Sequence, residues 1–88
     1  MKVRFKRSFV QDLERVKDKE LKERVRETIA RVEGAQTLQE IGSVRKLRGG
    51  ERYYRVRIGD YRLGLILEGH TVVFVRFLHR KDVYRYFP

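Results

Sequence analysis

Along this chain the spacing of apolar positions changes once, near residue 43. After one short alternating segment, the first half repeats its apolar residues every three to four positions, and the second half repeats them every two. Side chains return to one face of a helix every 3.6 residues and to one face of a strand every 2, so the change of period is a change of element. Lys2 to Lys6 alternates, with Val3 and Phe5 on one side, and predicts a short strand. Ser8 is placed to cap the following segment, with Gln11 at the capping-box position, and Phe9, Val10, Leu13 and Val16 recur at helical spacing. Asp18 begins a second helix, whose stripe Leu21, Val25, Ile29 and Val32 is closed by Gly34. The short link between the stripes predicts a helical hairpin. Residues 35–43 form a connection whose Leu38 and Ile41 are suited to plug the edge of a core.

From Val44 the pattern predicts strands. These run over Val44 to Leu47, Tyr53 to Ile58, Tyr61 to Glu68 and Thr71 to Leu78, separated by Arg48-Gly49-Gly50-Glu51, Gly59-Asp60 and a turn at Gly69. Lys81 to Phe87 fits a last helical turn or a tail. The order β-α-α-β-β-β-β predicts one α+β domain over residues 1–88, an antiparallel sheet of four or five strands with the helical hairpin packed on one face. A chain of 88 residues has no room for a second domain or a large cofactor cradle.

The two-residue loop Gly59-Asp60 predicts a register. It pairs Ile58 with Tyr61, Arg57 with Arg62, Val56 with Leu63 and Tyr54 with Leu65. Alternation then puts Tyr54, Val56, Ile58, Leu63 and Leu65 on the core face, and Tyr53, Arg55, Arg57 and Arg62 on the other. Like charges directly opposite one another cost stability. Three arginines gathered there either splay into water or hold an anion that relieves the repulsion. For the next turn, a three-residue loop Glu68-Gly69-His70 would put Val73, Val75 and Phe77 in the core and Arg76 and Arg80 on the basic face. A two-residue loop Gly69-His70 would reverse every side chain. The first is preferred because it keeps Arg76 out of the core.

Charge sharpens this picture. The formal net charge is +10. Residues 1–43 carry 11 basic and 8 acidic side chains, residues 44–88 carry 11 and 4, and nine of the latter eleven cations are Arg. The planar guanidinium fork suits phosphate, so nucleic acid is the first candidate partner. The absence of Asn and Cys and the single Met also fit a heat-adapted surface. Without Cys there is no disulfide or thiolate metal site. Two isolated His, His70 and His79, make no metal site, no Ser/His/Asp spacing is recognisable, and no cofactor is expected. No apolar run is long enough to span a membrane, and a soluble cytoplasmic protein is expected. What remains is an Arg cluster with Tyr53, Tyr84 and Tyr86 near it, the mixture of cations and rings that stacks single-stranded RNA. Lys46, Arg48, Arg52, Tyr53, Arg76, His79, Lys81, Arg85 and Tyr86 are the candidate RNA contacts.

Three runs of sequence resemble a known family. Lys46-Leu47-Arg48-Gly49, then Tyr54-Arg55-Val56-Arg57-Ile58-Gly59-Asp60-Tyr61-Arg62-Leu63, then His79-Arg80-Lys81-Asp82-Val83-Tyr84 look like the RelE/ParE superfamily. Its members are toxins of type II toxin–antitoxin modules. The resemblance covers nearly the whole chain and is more specific to the superfamily than to its RelE branch. It implies a compact RNase-like domain. In RelE-type members the toxin enters the ribosomal A site and cuts mRNA by attack of a ribose 2′-OH on the adjacent phosphate. Carried over by position, Arg55 and Arg57 are the basic strand residues, Arg62 follows the hairpin, Arg80 is the late Arg and Tyr84 the terminal Tyr, and these five are the candidate catalytic residues. The implied partners are the ribosome, mRNA and a small acidic RelB-like antitoxin.

One departure bears on the chemistry. Several RelE members carry Lys at the two strand positions where this chain carries Arg. An arginine stays protonated and is a poor general base, but it stabilises charge on a phosphate. Tyr84, His79 or ribosomal RNA are left to move protons. Two other readings stay open: a ParE-like toxin that inhibits DNA gyrase without nuclease chemistry, and a catalytically weak RNA-binding relative.

Overall fold

The computed structural model describes residues 1–49 and 52–88. Strand β1 (Lys2–Phe5) leads into helix α1 (Arg7–Glu14) and helix α2 (Lys19–Gly34). A 3₁₀ turn over Leu38–Glu40 precedes β2 (Val44–Lys46), β3 (Tyr53–Ile58), β4 (Tyr61–Glu68), β5 (Thr71–His79) and a third helix, α3 (Arg80–Tyr86). The turn expected at Arg48-Gly49-Gly50-Glu51 lies partly outside the described residues. The strands form one sheet in the order β1-β5-β4-β3-β2. Four strands are antiparallel as expected, whereas β1 joins β5 in parallel. Strand periodicity carries no signal for partner or direction. The long path from β1 through both helices to the far edge of the sheet is what allows a parallel return.

The helical hairpin covers one face. Asp18 caps α2 as expected, its Oδ1 accepting the Leu21 N–H at 3.1 Å. The stripe Leu21, Val25 and Val32 is buried against Tyr54, Val56, Ile58, Leu63, Leu65, Val72, Phe74 and Phe77 from the sheet. Leu38 and Ile41 close the edge of this core. Phe5, Phe9 and Phe74 meet with centroids 5.3 to 5.7 Å apart and tie β1, α1 and β5 together.

Ser8 does not cap α1. Lys6 stands at the N-cap position without a side-chain hydrogen bond, and the Ser8 hydroxyl donates to the Val75 carbonyl at 2.6 Å. The reason lies in the lengths of the strands: β1 pairs with β5 only as far as Phe74. Beyond it α1 supplies the partners. Besides Ser8, Asp12 accepts the Phe77 N–H at 2.9 Å and clasps the Arg76 guanidinium through Nε at 2.7 Å and Nη2 at 3.0 Å. Asp12 is 5% exposed, so its charge is balanced by a bidentate pair and a backbone donor.

The loop between β4 and β5 has two residues, Gly69 and His70, because Glu68 pairs with Thr71. This overturns the three-residue loop. Val72 and Phe74 therefore face the core, and Val73 and Val75 do not join it there. Leu65 pairs with Phe74 and Gly64 with Arg76, so Val75 is an extra residue on β5. That bulge reverses the alternation a second time. Phe77 returns to the core and Arg76 leaves it, so the bulge does what the three-residue loop is expected to do.

Asp12→Ala would leave the Phe77 N–H and the Arg76 guanidinium without a protein partner, and the variant should lose about 1.5–3 kcal/mol of stability. Asp12→Asn keeps an acceptor for Phe77 and should lose less. Urea denaturation of the three chains measures both differences.

Candidate functional site

The second face of the sheet is organised by a missing side chain. Gly64, in the middle of β4, lies beneath the Phe87 ring, and a Cβ built there would sit 2.6 Å from the Phe87 Cγ. Phe87 also meets the Tyr53 ring edge-on, with centroids 5.9 Å apart. With Val83 and Phe87 both buried, the C-terminal segment is a helix anchored on the sheet and not a loose tail. The helices therefore lie on both faces: the hairpin on one and α3 on the other. This anchoring leaves Tyr84 69% exposed, leaning on Arg55 with the guanidinium carbon 4.5 Å from the ring centroid.

Arg57 stands opposite Arg62, as the hairpin predicted, and Arg55 stands opposite Gly64 on one side and Arg45 on the other. The left-handed conformation of Gly59, φ 57°, makes the tight turn that fixes this register. Arg62 is held in place by its own hairpin, its Nη1 donating to the carbonyls of Gly59 at 3.0 Å and Tyr61 at 2.9 Å. The Arg57 N–H reaches the Ser43 carbonyl at 3.2 Å and draws the start of β2 against the end of β3. Together these residues enclose a cavity of about 420 Å³ lined by Gly42, Ser43, Val44, Arg45, Arg55, Arg57, Arg62 and Tyr84. A second cavity of about 400 Å³ adjoins it, sharing Arg45, Arg55 and Tyr84 and adding Lys46 and Arg48. Among the described residues no Asp or Glu side chain lines either one; the last residue, Pro88, lines the second. Among the described residues, none of Arg45, Arg55, Arg57 and Arg62 is in a salt bridge.

The remaining candidates are distributed differently. Arg80 is exposed at the start of α3, one helical turn before Tyr84, and its backbone N–H donates to the Asp60 carbonyl at 2.8 Å. It lines neither cavity, and the exposed Lys81 and Arg85 do not either. Arg76 is committed to Asp12, with Tyr86 against its guanidinium at 5.4 Å, so it serves the fold and not the basic surface. Arg52 faces Glu68 at 3.7 Å. Tyr53 packs on Phe87. The His79 ring accepts the Lys81 N–H at 3.2 Å, which caps α3, and lies edge-on to Tyr61, which takes it away from the arginine cavity. Arg45 is the residue that sequence reasoning missed. Its pairing with Arg55 follows from the β2–β3 register, which no two-residue turn announces.

The chain matches the family model described as the ParE toxin of the type II toxin–antitoxin system parDE over residues 3–84. It is 38% identical to Toxin RelE3 of Methanocaldococcus jannaschii, with the whole of both chains covered. The RelB–RelE antitoxin–toxin complex from Methanococcus jannaschii superposes with a TM-score of 0.83 at 35% identity, covering 97% of this chain and 99% of that one. The archaeal RelE–RelB complex from Pyrococcus horikoshii OT3 superposes with a TM-score of 0.74 at 24% identity, covering 90% and 93%, and shows the same fold. The chain belongs to the RelE/ParE superfamily and is a RelE-like toxin of a type II toxin–antitoxin module. Among the described residues no helix is long and apolar enough to cross a membrane.

Gly64→Ala should cost about 1–3 kcal/mol, because the added methyl displaces Phe87 from the sheet. In a Gly64→Ala chain that also carries Phe87→Ala the clash is gone. The double variant should therefore lose less than the sum of the two single losses, as a denaturation cycle over the four chains would read.

Proposed function

We propose that the chain is an endoribonuclease that cleaves mRNA in the ribosomal A site through attack of a 2′-OH on the neighbouring phosphate. The observation that carries this reading is the cavity in which Arg55, Arg57 and Arg62 converge beside Tyr84 without a carboxylate. Such a site attracts a phosphodiester and stabilises the charge that builds on its oxygens in the transition state. The arginines act electrostatically, since a guanidinium is a donor without an acceptor lone pair and a poor general base. Tyr84 is the one side chain in the cavity able both to stack on a base and to pass a proton through its hydroxyl. Arg80, one turn earlier on α3, is placed outside the cavity, where it can meet the backbone of a longer RNA or the ribosome.

Inducible expression followed by mapping of mRNA 5′ ends tests the reading: cuts at fixed codon positions are expected. Arg57→Ala and Arg62→Ala should lower cleavage by about 10²-fold or more, since each removes a charge-stabilising donor. Their melting temperatures should stay within a few degrees of the parent or rise, because the like-charge contact is relieved. Tyr84→Phe against Tyr84→Ala separates hydroxyl from ring. If neither lowers cleavage, Tyr84 has no part in the reaction.

The family-model match to ParE toxins favours a second reading, a gyrase inhibitor without nuclease chemistry. Gyrase-dependent DNA damage on induction, with intact mRNA, would select it.

The similarity to RelE in RelB–RelE complexes supports an acidic RelB-like antitoxin as partner. Its Asp or Glu side chains would occupy the place of phosphate beside Arg45, Arg55, Arg57 and Arg62. The complex should weaken as salt rises, and Arg55→Ala with Arg57→Ala should flatten that dependence. A complex indifferent to salt and to both changes would reject charge mimicry.

A further inference from the structure

The arginine site contains one more cation than the reaction at a single phosphate calls for. Arg45 on β2 pairs directly with Arg55 on β3, and Arg57, two residues along β3, pairs directly with Arg62 on β4. The four arginines thus form two cross-strand pairs by register, displaced along one strand by about 6.6–6.8 Å of backbone. That displacement is of the order of the step between successive phosphates on one nucleic-acid strand. The two cavities match this division. The first adds Arg57 and Arg62 to the shared wall, and the second adds Lys46 and Arg48 to it. The wall itself is Arg45, Arg55 and the Tyr84 ring.

Neither pair has a compensating carboxylate among the described residues. Each like-charge pair is destabilising in the free chain, and one phosphodiester, a monoanion, cannot neutralise both. Resting on the ribonuclease reading above, we infer that Arg45 and Arg55 form a second phosphate site. It holds the phosphate next to the scissile one, while Arg57 and Arg62 hold the scissile phosphate itself. The smallest RNA that fills the site is then a trinucleotide with two charged linkages, laid across the Tyr84 ring. Arg45 is a binding residue, and its contact is the same in the ground state and the transition state.

The probes are two trinucleotides of the same bases, 2′-O-methylated to prevent cleavage. One has two phosphodiesters, and in the other a single linkage is a neutral methylphosphonate. The purified chain should bind the doubly charged probe about tenfold more tightly at low salt, the scale of one hydrogen bond to a charged group. The slope of log affinity against log salt should differ between the probes by about 0.7, the value for one phosphate on a single strand. Arg45→Ala should abolish both differences, the doubly charged probe losing more affinity than the singly charged one. Arg45→Lys should restore part of them. In the cleavage assay Arg45→Ala should raise KM with kcat retained, the mark of uniform binding. Arg45 is exposed, and a melting curve verifies that the variant is folded. Discrimination that survives Arg45→Ala, or none in the parent, overturns the two-phosphate site. If mRNA is still cut in cells, that failure leaves the nuclease reading standing. Discrimination by a chain that cuts no mRNA would sink the nuclease reading and keep the site.

Discussion

β5 is longer than its edge partner, and much of the molecule follows from that mismatch. Nine residues of strand meet four of β1, so the backbone past Phe74 would be an open edge. Helix α1 closes it with side chains in place of a strand. Ser8 takes a carbonyl, and Asp12 takes an N–H and the Arg76 guanidinium. The bulge at Val75 falls within this stretch. It turns Arg76 out of the core and toward the Asp12 carboxylate, and returns Phe77 to the core. A buried carboxylate with one unmet partner would be costly. Here every partner comes from one strand segment, so α1, the bulge and β5 are held in a single arrangement.

The opposite face depends on an absence. Gly64 leaves a hollow in the sheet, Phe87 fills it, and α3 is thereby fixed with Tyr84 directed at Arg55. The Gly64–Phe87 packing that joins the candidate on α3 to those on β3 and β4 is itself apolar, with the Arg55–Tyr84 and Arg76–Tyr86 contacts beside it. This separation allows the arginines to repel one another without loosening the elements that present them.

How far the sequence revealed this depended on local geometry. The Gly59-Asp60 loop has two residues and a glycine, so its register, the core face of β3 and β4, and the facing of Arg57 and Arg62 were all legible. The Asp18 cap and the α2 stripe were legible for the same reason: the signal and the structure are neighbours in the chain. The loop at Gly69 was misread because Arg76 was reasoned about as a charge to be excluded, while the bulge that excludes it has no local signature. Ser8 has the composition of a cap, and only the unpaired Val75 carbonyl, 67 residues away, shows why it is used otherwise. Arg45 could not be paired with Arg55 from sequence, because the β2–β3 connection carries no two-residue turn to set the register. Gly64 in a strand reads as a weak point until the ring that covers it is seen.

The arginine surface is a cost borne by the folded chain. Two directly opposed Arg–Arg pairs are destabilising, do nothing for the core and take no part in the salt bridges that settle Glu68 and Asp12. A stability-driven surface would interleave carboxylates, as the mixed charges of residues 1–43 do. The second half instead keeps Asp60, Glu68 and Asp82 out of both cavities. Repulsion built into rigid strands is pre-organisation: the cations are already gathered where an anion will sit, and binding it releases strain in place of requiring order. The same property makes the surface indiscriminate among polyanions, RNA and acidic peptide alike. On the reading proposed above, the substrate and the inhibitor of this chain then compete for the same four guanidinium groups, so neutralising the toxin needs no change in its fold.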